Sequence, residues 1–437
     1  MQPRGPFTGR LGYACLNTVL RGQKPPVFCS RNVRIKTIEE KGMDYVRDLA
    51  RANVADLIPM IEWSAANNIH FLRLSSEIFP FASHLQYGWD ISFLQAELKA
   101  AGDVAKRLGV RLTMHPGQFC QLGAKSSTVL EASLREFEHH CKTLDLMEMG
   151  PDSIMILHGG GTYGDQAATL ERIENTITTR LSASARARLV LENDELSYSA
   201  EELLPLCEKL SVPLVFDWHH DALRPSSLTP TELMPRILAI FHKRGIRPKF
   251  HLSEPRAGAM TLRARRAHSD RCGQLPLELP SDADLMLECK DKEQGVLHMY
   301  RIYKLFEPDV ASLRPEADDA TTRTSGRRTK LDGSGGSSTS PRKKAGPTAK
   351  EQERSLIART IAKAKEVAAR TGRPYTGPPD EEDLARLRQA ELSSRDVLLD
   401  MRKRADAVRA DLKAGRPRTS TAAEDLDEAG ALAEEPE

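Results

Sequence analysis

Along the first 305 residues, short apolar runs alternate with amphipathic stretches of helical period. The runs are RLGYAC (10–15), FLRLSS (71–76), RLTMHP (111–116), SIMILHG (153–159), RLVLEN (188–193), PLVFDWHH (213–220), KFHLSE (249–254) and DLMLECK (284–290). Each is too short for a helix and carries polar residues at its ends, which is a strand signature. Helical periodicity covers 92–109, 126–147 and 229–245. Thr229-Pro230-Thr231-Glu232 forms a capping box with proline at the first helical position, and Ser199 with Glu202 forms another. Eight strands alternating with helices predict an α/β chain closed into a (β/α)8 TIM barrel. An open doubly wound sheet is the alternative this pattern leaves.

The grammar stops near residue 310, and of the aromatic residues only Tyr375 lies beyond it. From 323 to 350 the chain reads RTSGRRTKLDGSGGSSTSPRKKAGPTAK, with eight basic residues against Asp332. So little apolar surface cannot offset the entropy of ordering, which predicts a disordered basic linker. The expected organisation is a barrel domain over 1–310, a disordered linker over 311–348, and a helical, partly disordered C-terminal extension over 349–437. Within the extension, helices are expected at 349–371 and 380–414, the second stopping before Gly415 and Pro417. Leu384, Leu387, Leu398 and Met401 give it a narrow apolar stripe suited to a partner, protein or DNA, and nothing in it looks catalytic.

Charge adds one exclusion. Lys and Arg total 63 and Asp and Glu 61, a net of +2, so the chain as a whole is neither a uniformly basic nucleic-acid binder nor an acidic tail. No apolar run reaches the ~18 residues of a membrane span, and MQPRGPFTGR lacks the core of a secretory signal. The seven cysteines form no CxxC pair, which argues against thiolate zinc and a disulfide framework. A cytoplasmic protein is expected, nucleoid-associated if bacterial.

The ionisable residues carry the functional signal. His115, His158, Glu192, Asp217, His220, His251 and Glu288 each fall at or near the C-terminal end of a strand, with Asp217 and His220 sharing the sixth. Barrel enzymes build their sites on that face, because the βα loops converge there. One histidine ending a strand is ordinarily a structural residue, but a series around the mouth would stay unsatisfied unless a cation balanced it. Imidazole and carboxylate without thiolate suit zinc, manganese or iron(II), and this many ligands point to two or three ions. Glu192 and Asp217, on adjacent strands, are the best bridging candidates. His268, in RRAHSDR, is placed to close another shell. Lys249 shares a strand face with His251, so its ammonium must point elsewhere, lose its proton or be modified.

Competing motifs are weaker. His158-Gly159-Gly160-Gly161 resembles an esterase oxyanion segment, yet the chain contains no GxSxG elbow. The glycines through Gly164 follow a strand without any Walker Gly-Lys-Ser/Thr, and read as a compact turn at the site.

The series RLGYACLN, FLRLSSE, HPGQF, ILHGGG, LEND, FDWHH, KFHLSE, AHSD and DLMLECKDKE resembles the ultraviolet damage endonuclease family over residues 10 to about 305. That resemblance implies a TIM barrel related to endonuclease IV that cuts duplex DNA immediately 5′ of photoproducts and some other lesions, leaving 3′-hydroxyl and 5′-phosphate ends for excision repair. It implies a cluster of three divalent metals, manganese first, with zinc or cobalt as substitutes. His115, His158, Glu192, Asp217, His220, His251, His268 and Glu288 match the positions that would hold it. Glu192, Asp217, Glu288 and Lys249 are the implied catalytic set, Lys249 in a modified state. Gln118 and Phe119 match a pair that inserts at the lesion, with Phe where many relatives have Tyr. Tyr13 and Asn17 match positions lining a pocket for the flipped-out lesion. The expected partner is damaged double-stranded DNA, bound by a monomer.

Phosphate-facing charge is expected from Arg21, Lys24, Lys125, Arg263, Arg265, Arg266 and Arg271. The rival readings are a metal-dependent sugar isomerase or epimerase on the same barrel, and a damage binder with a degenerate metal site. The first gains nothing from an arginine-rich loop at His268 or an exposed Gln118-Phe119 pair, and the second would have lost Glu192 or Asp217.

Overall fold

The alternation of short strands and helices folds as eight parallel strands, and the computed structural model describes residues 7–314 apart from 257 and 260, together with 403, 406–410 and 412–414. The strands are β1 (Leu11–Ala14), β2 (Phe71–Arg73), β3 (Arg111–Thr113), β4 (Met155–His158), β5 (Leu189–Glu192), β6 (Leu214–Val215), β7 (Lys249–Leu252) and β8 (Asp284–Leu287). They pair in the order β3-β2-β1-β8-β7 and β4-β5-β6. Parallel bridges Met114–Met155 and Asp217–His251 join the two arcs, so the sheet closes on itself as a TIM barrel.

The expected helices form at Gln95–Arg107, Ser127–Leu146 and Pro230–Arg244, and both capping boxes are made. Gly245 ends the last of these with φ at 62°, a left-handed cap that favours glycine. The barrel departs from strict alternation between β7 and β8, where among the described residues only the short helix Leu262–Arg265 appears. The sixth strand is also shorter than its apolar run. Asp217 leaves it to cap helix Trp218–Leu223, so His220 sits in a helical first turn and not on the strand as expected.

Strand alternation divides the barrel into an outer and an inner layer. Leu11, Tyr13, Leu72, Leu112, Phe250, Leu252, Leu285 and Leu287 belong to the main core shared with the helices. Ala14, Phe71 and Met286 form a small apolar cluster of their own inside the barrel. Gly12 belongs to that inner face, where any Cβ would meet the Phe71 carbonyl oxygen at 2.4 Å. At the N-terminal end Asp284, fully buried, closes the interior. It accepts from Arg10 at 2.7 Å and Arg111 at 2.9 Å, and Arg247 lies at 3.2 Å. The ionisable residues of the inner face are thus split, with a structural cluster at the N-terminal end and the candidate site at the other.

Beyond β8, helix Glu293–Tyr303 leads to a short turn at Val310–Ser312. Gln294 donates to the Ser312 carbonyl at 2.8 Å and accepts from Arg314 N at 2.7 Å, so the chain stays bonded to the barrel past the expected boundary at 310. The remainder of the expected linker and the helix expected at 349–371 lie outside the described residues. Of the helix expected at 380–414, residues 403, 406–410 and 412–413 are described and helical. Among the described residues, no helix is long and apolar enough to cross a membrane.

Candidate metal centre

Five strands, one helix and the loop between β7 and β8 that carries His268 deliver the candidate ligands to the C-terminal mouth, with Glu192 at their centre. Its side chain is 1% exposed, and imidazoles approach both its oxygens. Oε2 lies 3.0 Å from His115 Nε2 and 3.7 Å from His158 Nε2. Oε1 lies 2.6 Å from His251 Nδ1 and 3.8 Å from His220 Nδ1. Two groups are close enough to hold an ion each, His115–His158–Glu192 and Glu192–Asp217–His220, with ligand atoms within 4.8 Å of one another. Glu192 belongs to both, which suits a bridging carboxylate. Asp217 belongs to one.

Glu288 forms a second focus. It pairs with Arg73, lies 3.3 Å from His251 Nδ1 and 3.9 Å from His268 Nδ1. The same His268 nitrogen hydrogen-bonds the Glu288 carbonyl at 2.8 Å. Lys249 is fully buried between the two foci and the barrel interior, its Nζ without a hydrogen-bond partner and 5.5 Å from the Phe71 ring centre.

The electrostatics follow from crowding like and unlike groups out of water. Burial alone would raise Glu192, but His251, His158 and His115 outweigh it and hold its carboxyl well below the usual range. Glu288 behaves likewise, with Arg73 as its strongest counter-charge. Asp217 is pushed up to about 6 by burial, against the pull of His220. His220 is raised to about 10: burial opposes its charge, but Asp217, Glu192, Glu195 and Glu288 together prevail. Burial lowers His251 to about 4 and also lowers His115 and His268. For Lys249, burial, reinforced by Arg73, pushes the ammonium well below its ordinary range, so the neutral amine is favoured.

These residues fit divalent cations. Asp217 Oδ1 caps its helix, while Oδ2 is buried without a partner, as are His158 Nδ1 and His251 Nε2. A buried carboxylate oxygen such as Asp217 Oδ2, unpartnered in a group with Glu192 and His220, is what a cation would satisfy. The His115 ring is already fixed from behind, its Nδ1 on the Pro116 carbonyl at 2.8 Å, as in oriented metal-binding imidazoles, while His220 Nδ1, on the Glu192 side, is held by the Asn193 carbonyl at 2.9 Å.

Around the site the outcome is mixed. Gln118 and Phe119 are exposed on a turn closed by Cys120 N to the Gly117 carbonyl, and Phe119 is 66% accessible. A Cβ at Gly117 would lie 2.4 Å from the Phe119 ring, so a larger residue there would displace that exposed side chain. Tyr13 and Asn17 are not brought to the mouth. Alternation along β1 turns Tyr13 outward, fully buried, with its hydroxyl bonded to Ser64 at 2.8 Å and Asn17 at 3.0 Å. Asn17 caps helix Thr18–Arg21, accepting from Leu20 N. The arginine-rich loop is also more engaged than expected. Arg265 is buried, Arg266 pairs with Glu195 at 2.8 Å and Arg271 with Asp291 at 3.0 Å, whereas Arg263, Lys24 and Lys125 are exposed.

Three contributors escaped the sequence reading. Arg73 could have been found as a lone charge inside an apolar strand. Glu195 lies 3.7 Å from His220 Nε2, but in sequence it is one more loop acid. His219 is 1% exposed with both ring nitrogens unpartnered and 5.4 Å from the His268 ring; its neighbour His220 masked it.

A closed parallel barrel with buried imidazoles and carboxylates gathered at its C-terminal mouth defines a TIM-barrel protein with side chains that could hold metal ions where barrel enzymes build their sites. The model of the UV-endonuclease UvdE family matches residues 9–313, and the chain belongs to that family. It is 44% identical over 327 residues to the UV-damage endonuclease of Schizosaccharomyces pombe, covering 72% of this chain and 54% of that one. To the UV-damage endonuclease of Neurospora crassa it is 42% identical over 342 residues, covering 69% and 52%. The chain thus spans about half the length of these fungal relatives. The solved structure of SacUVDE shares the fold, with a TM-score of 0.60 at 24% identity over 68% of this chain and 97% of that one.

Proposed function

We propose that this protein is a metal-dependent endonuclease that cuts duplex DNA immediately 5′ of ultraviolet photoproducts, leaving a 3′-hydroxyl and a 5′-phosphate. Membership of the family supports the substrate class. The observation that carries the chemistry is Glu192, a buried carboxylate shared by two potential ion sites. His115, His158 and Glu192 would hold one ion, and Glu192, Asp217 and His220 a second. Glu288, His268 and His251 gather where a third would sit, and manganese is the ion we assign first. Bound there, such ions supply a hydroxide near neutral pH, a Lewis acid for the phosphoryl oxygens and stabilisation of the departing 3′-oxygen.

The chain's own residues do the rest. Arg73 fixes Glu288, and the backbone carbonyls of Pro116 and Asn193 fix the rings of His115 and His220. Lys249, whose ammonium form burial disfavours, is available as a ligand in modified form, such as a carbamate. Gln118 and Phe119, exposed on their turn, are available to enter a damaged helix, where unstacking costs least. An exposed phenyl ring beside a metal site would be a liability in a sugar isomerase and is useful against a base stack. The test is a 5′-labelled duplex with one cyclobutane dimer, incubated with the metal-loaded protein with and without chelator. A chelator-sensitive nick beside the dimer is expected. No such nick with manganese, zinc or cobalt would refute the proposal.

A further inference from the structure

Helix Trp218–Leu223 carries His220 and has only six residues, too few to hold itself rigid by internal hydrogen bonds. It is fixed at its start: Asp217 caps it, and Asn193 Nδ2 donates to the Asp217 carbonyl at 3.0 Å while its Oδ1 accepts from Asp217 N at 2.8 Å. One turn later Asp221 is 4% exposed. Its Oδ2 accepts from Arg409 Nη2, in the C-terminal extension. Arg409 is itself 7% exposed, and its Nε donates to the Leu228 carbonyl at 3.2 Å. One turn further on, Lys413 reaches Glu232 at 3.2 Å. Arg409 and Lys413 lie in the helical residues 406–410 and 412–413.

An exposed ion pair would hold little, but a buried arginine–carboxylate pair leaves a costly unpaired charge when one partner goes. Among the described residues, Asp221 has otherwise only Ser226 N, at 3.4 Å. We infer that Arg409 is a positioning residue for the ion site of Asp217 and His220: it clamps the helix from outside while Asn193 and Asp217 anchor it from within. The C-terminal extension then has the barrel itself as its partner. This rests on the reading of Glu192, Asp217 and His220 as ligands.

The test uses the full chain. A zero-length carbodiimide couples Lys413 to Glu232 in the wild type, read by mass spectrometry, and the cross-link is lost in Arg409→Glu. Loaded with manganese, Arg409→Glu releases its metal to a competing chelator on the order of 10-fold more readily, and Arg409→Lys stays near wild type. Hydrogen exchange speeds up at 218–228 in Arg409→Glu and stays unchanged in β5. No cross-link in the wild type, or Arg409→Glu with wild-type metal retention and exchange, overturns the clamp. If the wild type binds no manganese, zinc or cobalt, the metal reading fails; faster exchange at 218–228 in Arg409→Glu then still supports the clamp, and unchanged exchange overturns it. Should Arg409→Glu not fold, Arg409→Gln is read in the same three assays.

Discussion

Replacing Glu192 by glutamine removes one negative charge and keeps the volume, so it isolates the role of the shared carboxylate. In the metal-free protein two effects oppose. The charge-assisted contacts to His251 at 2.6 Å and His115 at 3.0 Å weaken, yet the cost of burying a carboxylate also disappears, so the net change in stability should be small. The loaded protein has no such compensation, because both ion sites lose an anionic ligand. Loss of a mere orienting neighbour typically weakens metal binding by about 10–100-fold, so about 100-fold is a reasonable floor here. At a metal concentration about 100 times the wild-type Kd, each wild-type site would add about 2.7 kcal/mol of stability and each variant site about 0.4 kcal/mol. The assay is a pair of urea titrations, with manganese and with chelator, alongside the metal content of dialysed protein and nicking of the dimer duplex. Equal manganese-induced stabilisation in Glu192→Gln and wild type would refute the shared-ligand reading, whatever happened to activity.

Phe119→Ala should leave the urea midpoint and metal content unchanged, since the ring is 66% exposed, while lowering the preference for damaged over intact duplex; normal discrimination would remove Phe119 from the wedge. Asp284→Ala strips the counter-charge from Arg10, Arg111 and Arg247 at the closed end of the barrel and should cost about 3–5 kcal/mol in urea titrations, with metal stoichiometry retained in the folded fraction. His139 is held neutral by burial, aided by His140 and Lys142, which lower it to about 3. The unfolded chain therefore takes up a proton there below about pH 6.5 that the folded chain refuses, and stability falls as pH drops from about 6.5 toward 3. His139→Gln should flatten the pH dependence of the urea midpoint by up to about 1.4 kcal/mol per pH unit, and an unchanged slope would show that His139 is already hydrated in the fold.

The order of strands and helices, both capping boxes and the ring of imidazoles and carboxylates at strand ends were legible in the sequence. They rest on local chemistry: a period of two or 3.6, a proline at the first turn, a polar residue where a strand meets its loop. Strand alternation even contained the fate of Tyr13, two positions from neither His nor Glu but one position from the inward-facing Gly12 and Ala14. What the chain could not announce was which charges meet. Arg73 finds Glu288 across 215 residues, Asp284 gathers three arginines from separate segments, and Arg266 turns from the expected groove to Glu195. Such pairings follow from barrel closure, which sets β8 beside β1 and brings the inward face of each strand to a common axis. The helical turn that carries His220, and the arginine from the distant extension that grips it, were likewise decided only when the chain folded, because each needs a buried partner that no local pattern supplies.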